Sequence, residues 1–168
     1  MAEHVDFDEF FRATWARLYR TAYAVAGDAA SAEDALQAAY AKAYVSWRRV
    51  RAADHPEAYV RRIVVNEILG TRRRGFWQRE RPQPVLEDAG SADSLETGVV
   101  DRDAMWSAVQ ALPVRQRAVI VLRYYEDLTE AQIAEVLGCS PGTVKSQASA
   151  ALTNLRRAAA DIPNGDLA

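Results

Sequence analysis

Five polar side chains near one end of this chain, Thr143, Lys145, Ser146, Gln147 and Ser149, are spaced to fall on the outward side of one helix. Each can donate or accept hydrogen bonds, a set that suits phosphate oxygens and the base edges of a DNA major groove. The residues around them supply the helix. Ser140 is a favourable N-cap, and Pro141 fits the first helical position, where no N–H is needed. Val144, Ala148, Leu152 and Leu155 continue an apolar stripe beneath the polar set. Upstream, Thr129 and Gln132 have capping-box spacing, which starts a shorter helix at about Glu130 with Ile133, Ala134 and Leu137 on one side. Gly138 follows, where the chain must turn through positive φ. Two capped helices joined by a glycine turn are the pattern of a DNA-reading helix-turn-helix. Cys139, between them, reads as a small packed hydrophobe.

No comparable set points to catalysis. His4 and His55 are isolated, and no Ser/His/Asp constellation, HExxH, P-loop or paired-carboxylate motif occurs, so the chain reads as a non-enzyme with no cofactor. One cysteine excludes a disulfide framework and a thiolate metal cluster, and no metal site is expected. No apolar run approaches the roughly 20 residues that span a bilayer. The acidic, polar start MAEHVDFDEF is unlike a signal peptide. A soluble, cytoplasmic protein without a membrane partner is expected.

A net charge of -2 over 168 residues conceals a strong segregation. Acids exceed bases over residues 1–47, bases dominate 48–81, and acids return over 82–111. Trp47, Tyr59, Phe76 and Trp77 lie in or beside the basic stretch. Such aromatics either stack on exposed bases or fill a core.

The elements that must position these groups are helical throughout. Phe7, Phe10, Phe11, Trp15, Leu18, Tyr19, Ala22 and Val25 recur at spacings of three and four, a first helix that Gly27 ends, its aromatic stripe facing a core. A second helix starts at Ser31-x-x-Asp34, with Glu33, Asp34 and Gln37 in its first turns, where acids suit the helix dipole. RRVRAADHP then reads as a basic loop, and Pro56 opens a third helix that carries Arg61 and Arg62 and closes at Arg72, Arg73 and Arg74. From Gly75 to about Gly98 the composition is that of a linker. Helices resume at Asp101 and again at Pro113, ahead of the helix-turn-helix, and the tail after Arg157 is expected to fray. The expected fold is all-α, two small bundles joined by a flexible linker, with boundaries at 5–76, 77–99 and 100–160.

Three segments in this order, AEDALQAAYAKAY at 32–44, PEAYVRRIVVNE at 56–67 and LPVRQRAVIVLRYYEDLTEAQIAEVLGCSPGTVKS at 112–146, resemble a known family. It is the bacterial extracytoplasmic-function sigma factors, group IV of the sigma-70 family, which keep only regions 2 and 4. The likeness is strongest to the actinobacterial SigE-like subgroup.

The resemblance implies a subunit that binds core RNA polymerase, directs it to promoters and helps open the duplex. By the family pattern, Glu33, Asp34 and Gln37 dock on the clamp coiled coil of the largest subunit, and the second bundle meets the flap of the second-largest. Arg48, Asp54, His55, Arg61, Arg62, Asn66, Arg72 and Arg73 fall where the family captures the minus-10 element. Thr143, Lys145, Ser146, Gln147 and Ser149 fall where it reads the minus-35 element. An anti-sigma factor is a further partner the family pattern allows. Tyr59 stands where tryptophan is commoner, and Gln147 and Ala150 stand where many members carry arginine, which leaves fewer phosphate anchors. The rival readings are a stand-alone helix-turn-helix regulator and a protein-interaction module.

Overall fold

The computed structural model describes residues 2–78 and 97–161, with side chains over 6–71 and 102–161. Helices α1 (Ala2–Ala26), α2 (Ala29–Val45), α3 (Trp47–Arg51) and α4 (Pro56–Gln78) form the first bundle. Helices α5 (Thr97–Gln110), α6 (Val114–Ile120), α7 (Glu130–Leu137) and α8 (Pro141–Ala160) form the second, with a π-helical turn at Val121–Tyr125 continuing α6. No strand occurs among the described residues. Most of the expected linker and the residues after Asp161 lie outside them.

In the first bundle, Leu18, Ala22 and Val25 of α1 meet Ala32, Leu36 and Ala39 of α2 and Val60, Val64 and Val65 of α4, all buried. The small α2 residues let the three helices approach closely. Phe7, Phe10, Phe11 and Trp15 pack around Tyr40, and Trp47 is buried against Phe7 and Phe10 at centroid distances of 5.2 and 5.1 Å. Of the two roles open to Trp47, the structure gives it the core. The Tyr40 hydroxyl lies 2.7 Å from the Thr14 hydroxyl.

Local structure departs from expectation at three places. The N-cap of α2 is Asp28, whose carboxylate accepts from the Ser31 N–H at 2.7 Å; Ser31 itself lies inside the helix. Gly27, at φ +88°, ends α1 and leaves Asp28 extended in capping position, so α2 begins earlier and holds no acid in its first turn. The dipole argument for Glu33 and Asp34 therefore lapses, because the effect fades beyond that turn. The expected basic loop contains α3, a short helix anchored by buried Trp47 and Val50. Finally, α4 runs on through Gly75 to Gln78.

The π-helical turn closes when the Glu126 N–H donates to the Val121 carbonyl at 3.1 Å, and Asp127 follows at φ +53°. Aspartate is among the residues that tolerate this left-handed conformation. The turn thus ends with Glu126 presented toward the first bundle.

The two bundles share one continuous core. Ala118, Val119, Val121, Leu122, Ile133 and Val136 belong to the same buried cluster as Leu18, Leu36 and Val64. Polar bonds finish the seam. Carbonyls in the last turn of a helix lack partners within it. Those of Ala24 and Val25 accept from Gln110 Nε2 at 3.0 Å and Arg117 Nε at 2.7 Å. A buried guanidinium at the negative end of α1 is favourably placed. Gly27 sits at φ +88°, a conformation that favours glycine, and a Cβ there would also meet Gln110 Oε1 at 2.4 Å and force that side chain to shift.

Candidate nucleic-acid interface

The α7–turn–α8 unit is closed by local bonds of the expected kinds. Thr129 caps α7 by accepting from the Gln132 N–H at 3.3 Å, while Gln132 Oε1 accepts from the Thr129 N–H at 2.9 Å. Gly138 adopts φ 63° and ψ 41°, and the Cys139 N–H donates to the Ala134 carbonyl at 3.1 Å. Ser140 Oγ accepts from the Thr143 N–H at 3.1 Å, and Pro141 opens α8. Ile133, Ala134, Leu137, Val144 and Ala148 are buried beneath the unit, and Cys139 packs against them.

On α8, Thr143, Lys145, Ser146 and Ser149 are exposed. Gln147 is half-buried, because it lies on the flank beside Val144 and Ala148 rather than opposite them. The Ser146 hydroxyl donates to the Gly142 carbonyl at 3.0 Å, leaving its oxygen free to accept. Lys145 Nζ stands 3.9 Å from a Glu130 carboxylate oxygen whose partner oxygen is 3.6 Å from Arg123. Exposed pairs of this kind contribute little. They do hold the lysine over the start of α7.

The first bundle brings together only part of its expected set. Arg48 is exposed on α3, and Asp54 and His55 are exposed in the turn before α4. Arg62 and Asn66, one turn apart on α4, line a groove with Lys42, Tyr59, Ile63 and Glu67. Lys42 is paired with Glu67 across it. A basic groove with a half-buried tyrosine in its wall can take an extruded base and its phosphate. Arg61 points elsewhere. Its Nη1 donates to Glu126 Oε2 at 2.8 Å, with side-chain exposures of 13% and 8%, and its Nε is buried without an acceptor. Arg72 and Arg73 extend α4, and their side chains lie outside those described, as do Phe76 and Trp77.

Glu33, Asp34 and Gln37 are exposed and share one sector of α2, about 100° wide at 3.6 residues per turn. Ala32, Ala35, Leu36 and Ala39 turn the other way into the core. The acidic sector is therefore open to a partner.

The sequence reading missed the groups that join the bundles. Glu126 holds Arg61 and also accepts a hydrogen bond from the Thr21 hydroxyl. Asn66 Nδ2 donates both to the Arg62 carbonyl at 2.8 Å and to the Val136 carbonyl at 2.9 Å, near the end of α7. Tyr23 stacks on Trp106 at 5.6 Å with an interplanar angle of 6°. One signal was present: Arg117 stands three and four residues before Ile120 and Val121, on the apolar side of its helix, where a charge is out of place unless buried groups await it. Among the described residues, no group of three His, Cys, Asp or Glu is arranged to hold a metal, and no helix is long and apolar enough to cross a membrane.

Comparison with known proteins agrees with this architecture. Residues 10–78 match the family model for Sigma-70 region 2, and residues 102–155 match that for Sigma-70, region 4. The RNA polymerase sigma-E factor of Streptomyces antibioticus is 35% identical over 159 residues, 92% of this chain and 84% of its own length. The factor of the same name from Streptomyces coelicolor is 33% identical, covering 93% and 87%. The ECF RNA polymerase sigma factor SigM of Mycobacterium tuberculosis is 32% identical, covering 90% and 76%. Among solved structures, the sigma factor RpoE in complex with the anti-sigma factor NepR from Bartonella quintana aligns with a TM-score of 0.74 at 22% identity, covering 94% of this chain and 98% of that one. CnrH in complex with the cytosolic domain of CnrY aligns at 0.57 and 19%, covering 92% and 88%. With both regions matched in order and relatives alike along nearly the whole length, the chain belongs to the sigma-70 family, in its extracytoplasmic-function group, and is an RNA polymerase sigma factor.

Proposed function

We propose that this sigma factor reads promoters at two sites with its two bundles, while core polymerase supplies the frame that spaces them. The observation that carries the proposal is that two faces suited to nucleic acid, α8 and the α3–α4 segment, stand on different bundles of one chain. On α8, Thr143, Lys145, Ser146, Gln147 and Ser149 contact the minus-35 element, with hydroxyls and amide reading base edges and Lys145 meeting phosphate. Arg48, Asp54, His55, Arg61, Arg62, Asn66, Arg72 and Arg73 engage the non-template strand of the minus-10 element. The groove beside Tyr59 receives an unstacked base.

Opening the duplex needs no chemical step from this chain. Separation costs about 1.4 kcal/mol of stacking per base step, which capture of single-stranded bases offsets. The acidic sector of Glu33, Asp34 and Gln37 docks on the clamp coiled coil of the largest polymerase subunit, and the second bundle meets the flap of the second-largest. Residues 5–76 act as the docking and minus-10 domain, 77–99 as the connection and 100–160 as the minus-35 domain. An anti-sigma factor, of the kind bound to RpoE, is a further partner, and the site of action is the cytoplasm, at the nucleoid.

The test adds purified protein to sigma-free core polymerase and assays promoter-specific runoff transcription across a genomic library. Defined start sites that require the protein are expected. Absence of core binding, together with tight DNA binding by the protein alone, would instead establish a stand-alone regulator.

A further inference from the structure

We infer that the junction of the two bundles holds a binding site for a small planar aromatic acid, an apolar ring system with a carboxylate or like anionic group at one edge. The site stands apart from the proposed promoter contacts and shares no residue with them.

Three observations carry it. A cavity of about 360 Å³ opens between α1, α5 and the π-helical turn, lined by Tyr19, Arg20, Tyr23, Ala24, Trp106 and Tyr125. Its size is that of small-molecule pockets, which favour domain junctions and aromatic walls. Second, the wall is already a stack of rings. Tyr19 lies against Tyr23 at 6.2 Å and 23°, and Tyr23 against Trp106 at 5.6 Å and 6°. A flat ligand ring continues that series, because offset stacking spans centroid distances of about 4.5–7 Å. These rings are not spent on the core: Tyr23, Trp106 and Tyr125 are 36%, 38% and 51% exposed. Third, the cavity wall is apolar throughout, so Arg20 contributes its alkyl stem and keeps its guanidinium at the rim. Arg20 is exposed and forms no ion pair among the described residues, whereas Arg17, three residues earlier, is paired with Glu57. A carbon-lined slot with a guanidinium at its mouth is complementary to one chemistry, an apolar ring inside and an acid outside. A nucleobase fits less well, since its polar edge would meet carbon.

The walls come from both bundles, Tyr19, Arg20, Tyr23 and Ala24 from the first and Trp106 and Tyr125 from the second. An occupant therefore touches both at once and stabilises this arrangement by mass action. The chain would thus answer to the concentration of a small molecule at a surface that neither promoter element needs.

The test titrates the full-length chain with indole-3-acetate, a planar acid, and with tryptophol, the same ring bearing a neutral alcohol, and follows backbone amide chemical shifts. Saturable binding of the acid is expected with a Kd of about 1 mM for a ligand of this size, and binding of tryptophol about threefold weaker. The shifts should be confined to α1, α5 and the π-helical turn. Arg20→Gln should erase the preference for the acid and leave tryptophol unchanged. Tyr125→Ala should weaken both ligands about tenfold. Tyr124→Ala, which removes a similarly exposed ring outside the cavity, should change neither. Holoenzyme carrying Arg20→Gln or Tyr125→Ala should give wild-type runoff transcription. Absence of saturable binding, shifts centred elsewhere, or a preference for the acid that survives Arg20→Gln would overturn the inference. So would tighter binding of adenosine monophosphate than of indole-3-acetate, which would make the site a nucleotide's. Loss of core binding in Tyr125→Ala would give the face to polymerase, and a sedimenting dimer that Tyr125→Ala dissociates would give it to a second copy of the chain; either result overturns the inference as well.

Discussion

The two segments proposed to face DNA are stabilised in opposite ways. The bonds that shape the start of α8 close within about fifteen residues: the Thr129–Gln132 box, the Gly138 turn and the Ser140 cap; farther along the helix, Asn154 Nδ2 donates to Gln116 Oε1 at 2.9 Å. The polar groups of α4 are engaged by partners far along the chain, Arg61 with Glu126 and Asn66 with Val136. The difference teaches that a recognition face can be complete in its own element, as on α8, or conditional on another domain, as on α4. Availability is then a property of the whole chain for one promoter site and of a single hairpin for the other.

The comparison breaks most severely at Ile133, which is fully buried under α7 and belongs to the core cluster shared by both bundles. Ile133→Ala should cost about 2–5 kcal/mol. Denaturant unfolding followed by fluorescence of Trp15 and Trp47, in a background with Trp77 and Trp106 replaced by phenylalanine so that only the first bundle reports, should shift by the same amount as far-UV dichroism. Two separated transitions, with the tryptophan signal unmoved, would mean that the bundles are independent and the contrast between local and conditional faces is false.

A smaller effect sharpens the α8 side. Gln147→Arg places a charge on the flank of the recognition helix, and one added phosphate contact should steepen the salt dependence of promoter binding by about 0.9 in log–log slope. A filter-binding titration of holoenzyme across salt concentrations measures this. The same affinity and slope as wild type would show that the flank does not face the backbone of the DNA.

The smallest effect concerns the first bundle alone. Burial raises the phenol of Tyr40, with the Thr14 hydrogen bond opposing the shift and the Glu57 charge adding to it. A raised folded value means that stability is fully present below the ordinary phenol range near pH 10 and is lost as pH climbs through it toward the folded value, because the unfolded chain ionises first. Tyr40→Phe should flatten stability above about pH 10 relative to wild type. Parallel pH curves for the two proteins would rule Tyr40 out as the source.

What the sequence disclosed follows the same division. The cap residues, Gly138 and the apolar stripe of α8 were legible because each acts on neighbours three or four positions away. The start of α2 was misplaced because Asp28 and Ser31 are both capable caps, and the choice depends on where Gly27 stops α1. The core stripe of α4, Val60, Val64, Val65 and Ile68, was hidden behind the more conspicuous Tyr59, Ile63 and Leu69, which are only partly buried. Arg61 looked like a free cation for want of any local sign of Glu126. Long-range pairs leave no periodicity to read.

The π-helical turn at Val121–Tyr125 carries a consequence for the geometry of the second bundle. Each residue of helix rotates the chain by about 100°, so a turn holding one residue more than the regular helix resets the phase of everything that follows it. Removing a residue there would return α6 to regular winding, swing Glu126 away from α4, and send α7 and α8 off along a different bearing. The bearing of α7 and α8 relative to α6 is therefore indexed by a single residue in this turn, as a vernier is.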